Sequence, residues 1–115
     1  MSLIVRQVLA AAASTVEGVD VAQRFRQATK PGSGMVRFGG WTRSTNGFGG
    51  VNTWQVWIVL PQDLAAAESW LDDHVDELVE VLSREMVVAT VTPQQWALDT
   101  GTVPIVVIEG TREQE

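Results

Sequence analysis

Residues 35–60 read MVRFGGWTRSTNGFGGVNTWQVWIVL, and this stretch decides the architecture. Alternating apolar and polar side chains on either side of a glycine-rich centre predict two strands, Met35–Arg43 and Val51–Leu60. In the second strand Trp54, Val56, Ile58 and Leu60 share one face, the expected core. Trp57 and Val59 stand on the opposite face and call for a second buried surface. Gly39-Gly40 interrupts the first strand and predicts a bulge, and Asn46-Gly47 is a hairpin-turn signal. No charged side chain occurs from Ser44 to Gln62, so the arm suits pairing and docking rather than chemistry.

Upstream, apolar residues at helical spacing (Val5, Val8, Leu9, Ala12, Val16) predict a helix over Leu3–Val16, with Ser2 as its cap and Gly18 as its stop. Its small side chains suit close packing on a sheet. Val19–Gln27 alternates and reads as a half-buried strand with Arg24 and Arg26 on its outer side. Residues 28–34 form a loop around Pro31-Gly32.

Downstream, Asp63 caps a helix running to about Arg84, its stripe made of Leu64, Ala67, Leu71, Val75, Leu78 and Leu82. Met86–Val91 is a short strand that Thr92-Pro93 is expected to break, leaving Gln94–Leu98 as a helical turn holding Trp96. Val103–Ile108 is the last strand; Pro104 is expected to put its start at a sheet edge, and the tail from about residue 110 to fray. The order α-β-β-β-α-β-β is an α+β fold: a largely antiparallel sheet of four to five strands with two helices on one face.

The 115 residues make one domain, 45% hydrophobic and 19% charged, with a core that needs no staples. There is no cysteine, hence no disulfide and no thiolate metal site. Neither a signal peptide nor a membrane-spanning run is expected. A net charge of −6 opposes general affinity for nucleic acid, and no specific nucleic-acid partner is expected. The charge is unevenly spread. Residues 1–43 set Arg6, Arg24, Arg26, Lys30, Arg37 and Arg43 against Glu17 and Asp20, whereas residues 63–85 set eight acids against Arg84. Such a chain is complementary to a copy of itself.

Catalysis has little to stand on, and no catalytic residue, cofactor or metal is expected. His74 is the single histidine, placed beside the helix stripe with no nucleophile near it in sequence. Asp73, His74, Asp76 and Glu77 cannot all point from one helix at one ion. Gly32-Ser33-Gly34 and Gly47-Phe48-Gly49-Gly50 lack the lysine and helix start of a phosphate loop.

Four segments carry a family likeness: Val8–Gly18, Lys30-Pro31 with Val36-Arg37-Phe38-Gly39, Gly47-Phe48-Gly49 with Thr53-Trp54-Gln55-Val56-Trp57, and Leu60-Pro61-Gln62-Asp63. Together they resemble the tail terminator proteins of long-tailed phages of actinobacteria, over residues 8 to about 110. The resemblance implies a non-enzymatic structural protein of the virion, assembled in the host cytoplasm into a ring, typically hexameric. Such a ring caps the head-proximal end of the tail, ends tube polymerisation, and joins tail to head. Its implied partners are further copies, the major tail tube protein and a head–tail connector or neck protein, with no membrane. We assign the subunit interface to Arg24, Arg26, Arg37, Trp57, Asp72, Asp76 and Glu80, and the tube or neck contact to Arg43, Asn46, Gly47, Phe48 and Gly49. Two alternatives stay open: another connector or neck protein of the same phage type, and a small module whose sheet accepts a peptide or nucleotide.

Overall fold

The computed structural model describes residues 2–27, 29–43, 47 and 49–113, without the side chains of Ser2 and Leu3. The expected cap at Ser2 and two expected contact residues, Asn46 and Phe48, lie outside what is described. The elements are α1 (Ser2–Ser14), β1 (Asp20–Ala22), β2 (Ser33–Arg43), β3 (Gly50–Val59), α2 (Leu64–Leu82), β4 (Val87–Leu98) and β5 (Gly101–Glu113). The strands form one sheet in the order β1-β2-β3-β5-β4. The β1–β2 pair is parallel and every other pair antiparallel. This is the expected α+β fold.

The face periodicity of β3 governs the packing. Trp54, Val56, Ile58 and Leu60 are buried with Val36, Val106 and Ile108 beneath Leu9, Ala10 and Ala13 of α1, Val16 just after it, and Ala67, Leu78 and Leu82 of α2. Alanines at two contact positions of α1 let its backbone come close to the sheet, as the thin stripe requires. The Asp63 carboxylate accepts the Ala66 N–H at 3.0 Å, which starts α2, and the Ser83 N–H closes its last turn on the Val79 carbonyl. The expected bulge is present, as a register shift between Phe38 and Gly40.

Several expectations fail, each for a tertiary reason. The strand expected over Val19–Gln27 is three residues long, because β1 runs parallel to β2 and the chain must travel back along the sheet before β2 begins. Residues 23–32 are that crossover. It ends at Gly32, whose φ of +90° and contact with the Gly18 carbonyl leave no room for a side chain. Pro93 does not break β4, which continues to Leu98, so Trp96 sits on a strand and not in a helical turn. As an edge strand, β4 tolerates a residue without an N–H.

Pro104 also lies in a different place from the one expected. β5 is interior, between β3 and β4, and Pro104 is tolerated because it stands just past the end of the β3 ladder. There its carbonyl accepts the Leu60 N–H at 2.9 Å as Leu60 leaves the sheet. The tail does not fray at 110, since Gly110, Thr111, Arg112 and Glu113 pair with Trp54, Thr53, Asn52 and Val51. Leu64, expected in the α2 stripe, is 75% exposed, and the buried stripe of α2 begins at Ala67.

Candidate functional site

Both helices lie on one face, so the other face of the sheet is covered by other means. Met35, Trp57, Val107 and Thr92 stand opposite one another across the strands and define this second face. Val59, Val103, Ile105 and Val107 are buried there as a second small core, with Trp57, Trp96 and Leu98 packed against it. The crossover supplies the remaining cover. Phe25 meets Trp96 edge-on, with ring centroids 6.0 Å apart, and Trp96 meets Trp57 in the same manner at 5.9 Å. The Arg37 guanidinium lies 4.7 Å from the Trp57 ring and 5.4 Å from Phe25, so one cation caps two aromatic faces. The Trp57 N–H donates to the Gln55 side chain at 2.9 Å, and Gln55 donates to Glu109 at 2.8 Å. The result is a pre-ordered aromatic and polar surface on which Phe25 remains 55% exposed.

One flank of the body is basic. Arg6 of α1 donates to the carbonyls of Gln23, at 2.9 Å, and Val36, at 3.0 Å. These are the residues immediately before Arg24 and Arg37, so Arg6 ties three separate segments into one cationic group. Burial, and then repulsion from Arg24 and Arg37, lowers the Arg6 pKa from the ordinary arginine value. Arg24 is exposed. Arg26 folds back on its own segment: its guanidinium donates to the Asp20 carbonyl and lies 3.4 Å from the Asp20 carboxylate. Its buried Nε has no hydrogen-bond partner among the described residues.

The opposite flank is acidic. Asp72, Asp73, Asp76, Glu77 and Glu80 are all exposed on α2. Glu80 pairs with Arg84 at 3.3 Å, an exposed contact that contributes little. Asp72 and Asp76 line a shallow groove of about 390 Å³ with Leu71, Val75, Val91, Pro93 and Val106, between α2 and the outer strand β4. Asp73, Glu77 and Glu80, spaced four and three residues apart, share the neighbouring outer stripe of the helix. His74 stacks on Trp70, with centroids 4.1 Å apart, and its Nδ1 lies 2.7 Å from the Trp70 carbonyl. Since a carbonyl accepts, that contact places a proton on Nδ1. No three metal-ligating side chains among the described residues stand together.

The third feature is the arm formed by the outer ends of β2 and β3. Its exposed rings are Phe38 and Trp41; Phe38 meets buried Trp54 edge-on, and Arg43 lies 5.4 Å from the Trp41 ring. The Trp41 indole rests on Gly50, where any side chain would collide with it. Gly47 and Gly49, at the tip, both have positive φ.

Of the residues assigned to an interface from sequence, Arg37 and Trp57 come together directly, and Asp72 and Asp76 share the groove. Arg26 and Glu80 each have an ion pair within the chain, and Arg24 lies beside Arg6. Three contributors were missed. Arg6 counted only toward the basic first third, since a polar residue on an amphipathic helix is commonplace and nothing local announces its two carbonyl partners. Phe25 falls in the part of the expected strand Val19–Gln27 that is crossover instead, where strand alternation does not tell its facing. Trp96 was legible in the alternation Thr90, Thr92, Gln94, Trp96, Leu98, which Pro93 masks. The class these features define is an α+β protein with one helix-covered sheet face, one aromatic face and oppositely charged flanks. No protein-family model and no curated protein matches this sequence.

Proposed function

We propose that the chain is a structural protein that assembles into a ring of identical subunits, in the manner of a phage tail terminator. The observation that supports this most is the separation of charge. Arg6, Arg24 and Arg37 gather at the β1–β2 side of the sheet, Arg6 on the helix face and Arg37 on the aromatic face, and the carboxylates of α2 stand on the β4 side. A body with opposite charges on opposite flanks associates head-to-tail with further copies, a heterologous contact that closes into a ring when the rotation permits. A two-fold dimer through either flank would instead oppose like charges.

In this reading Arg24 and its neighbours meet the outer stripe Asp73, Glu77 and Glu80 of the next subunit, with Asp72 and Asp76 at its margin. The outer ends of β2 and β3, with Arg43, are then left to meet the tube or neck protein. The ring ends tube polymerisation at the head–tail junction of the virion after assembly in the host cytoplasm.

Charge reversal tests this. Arg24→Glu is expected to weaken self-association at least ten-fold, measured by native mass spectrometry alone and by negative-stain images with tail tubes present. Adding Glu77→Arg should restore it. Rings that form unchanged with Arg24→Glu would refute the pairing.

A further inference from the structure

The outer strand β4 runs twelve residues, from Val87 to Leu98, and among the described residues pairs with β5 on one side only. It holds no lysine, arginine, aspartate or glutamate. Natural edge strands are usually kept short, charged or covered, because their unpaired N–H and C=O groups template further pairing. β4 has a register shift between Val88 and Thr90 and a proline at position 93, but Gln94–Leu98 keeps unbroken register with Ile105–Gly101 and is open outward. Beside the Val91–Pro93 part of this edge, immediately before that open segment, lies the groove lined by Leu71, Val75, Val91 and Pro93 and flanked by Asp72 and Asp76.

We propose that the β4 edge accepts an extended segment of a different protein as a sixth strand, and that this segment carries lysine or arginine at alternate positions. Successive same-face side chains on a strand are about 6.6–6.8 Å apart, and Asp72 and Asp76, four residues apart on a helix, are separated by about 6 Å along its axis. Two alternate cations therefore meet both carboxylates while the intervening side chains turn toward the Trp96 side. Backbone bonds supply the affinity and the two aspartates fix register and partner choice.

The chain's own edges do not fit this role. β1 offers three residues against twelve. Val21 of β1 faces the helices, opposite Gly34 and through it Ile58. Arg24 and Arg26 lie past the end of β1, in the crossover, so β1 itself carries no cation to set against Asp72 and Asp76. Pairing two β4 strands about a two-fold axis would set two acidic α2 helices on one face of the joined sheet, where they repel.

The probe is a short labelled peptide alternating lysine and valine. Its controls are the same residues in two blocks and a version with glutamate for lysine. Binding is followed by fluorescence anisotropy and site by amide hydrogen exchange. The alternating peptide is expected to bind and to protect amides within Gln94–Leu98, and both controls to bind at least several-fold more weakly. The double variant Asp72→Asn, Asp76→Asn should weaken binding by up to about ten-fold, two exposed ion pairs' worth, with an unchanged circular dichroism spectrum. Ala97→Pro should remove both binding and protection. Protection elsewhere, equal binding of the glutamate peptide, no binding at millimolar peptide, or a peptide-free dimer with β4 already protected would each overturn the proposal.

Discussion

The two faces of this sheet carry similar apolar side chains and are covered in different ways. On the helix side, Trp54, Val56, Ile58, Val106 and Ile108 disappear under two amphipathic helices. On the other side, Val59, Val103, Ile105 and Val107 are as well buried, but under a crossover loop, two tryptophans and an arginine. Helices bring a continuous apolar stripe and satisfy their own backbone groups. A loop brings single side chains and must borrow hydrogen bonds, as when the Gly32 N–H donates to the Val59 carbonyl at 2.8 Å. The first arrangement suits permanent burial. The second leaves partly exposed rings such as Phe25 beside a cation, the composition typical of protein interfaces.

The contrast has measurable consequences, the largest on the helix side. Trp54→Ala removes a ring that is 1% exposed and packed against Phe38 and Arg6, and is expected to cost about 3–5 kcal/mol in chemical denaturation. A loss below about 2 kcal/mol would mean that the front core is not the dominant one. Trp96→Ala, partly exposed on the loop-covered side, should cost roughly half as much, and amide exchange should rise first in the crossover. Equal losses for the two tryptophans would erase the distinction between the faces. Phe25→Ala is expected to cost less than about 1.5 kcal/mol, since the ring is mostly exposed and its gain is the edge-on contact with Trp96 and the Arg37 cation. Its effect should appear as faster exchange of the Gly32 amide with little change in melting temperature; a cooperative unfolding of the whole sheet would contradict a local cover.

Much of the fold was legible because it rests on local periodicity. The alternation of Trp54, Val56, Ile58 and Leu60 names the core face, Asp63 names the start of α2, and Gly39-Gly40 names the bulge. Failures occurred where a neighbour overrides the local signal. Pro93 reads as a break unless its strand is known to be an edge, and Pro104 reads as an edge unless β3 is known to end beside it. The surfaces were less legible than the core. Arg37 was singled out for its charge and Trp57 for its place on the back face of β3, but their shared contact with Phe25 depends on a crossover that no local pattern announces. Arg6 entered the basic group through two carbonyls, distant in sequence, that no pattern within α1 announces.

The sequence by itself determined the core face of β3, most of the buried stripes of the two helices, the order of the elements, and the division of charge between the first third and α2. Hydrophobic period and net charge are local quantities, so they survive without coordinates. Tertiary structure alone decided that β1 runs parallel to β2, which turns residues 23–32 into a cover for the second face. It likewise decided that β4 stands outermost, which tolerates its proline and exposes an uncharged edge beside Asp72 and Asp76. Strand order and direction are set by which surfaces bury each other across the whole chain, and no single segment carries that information.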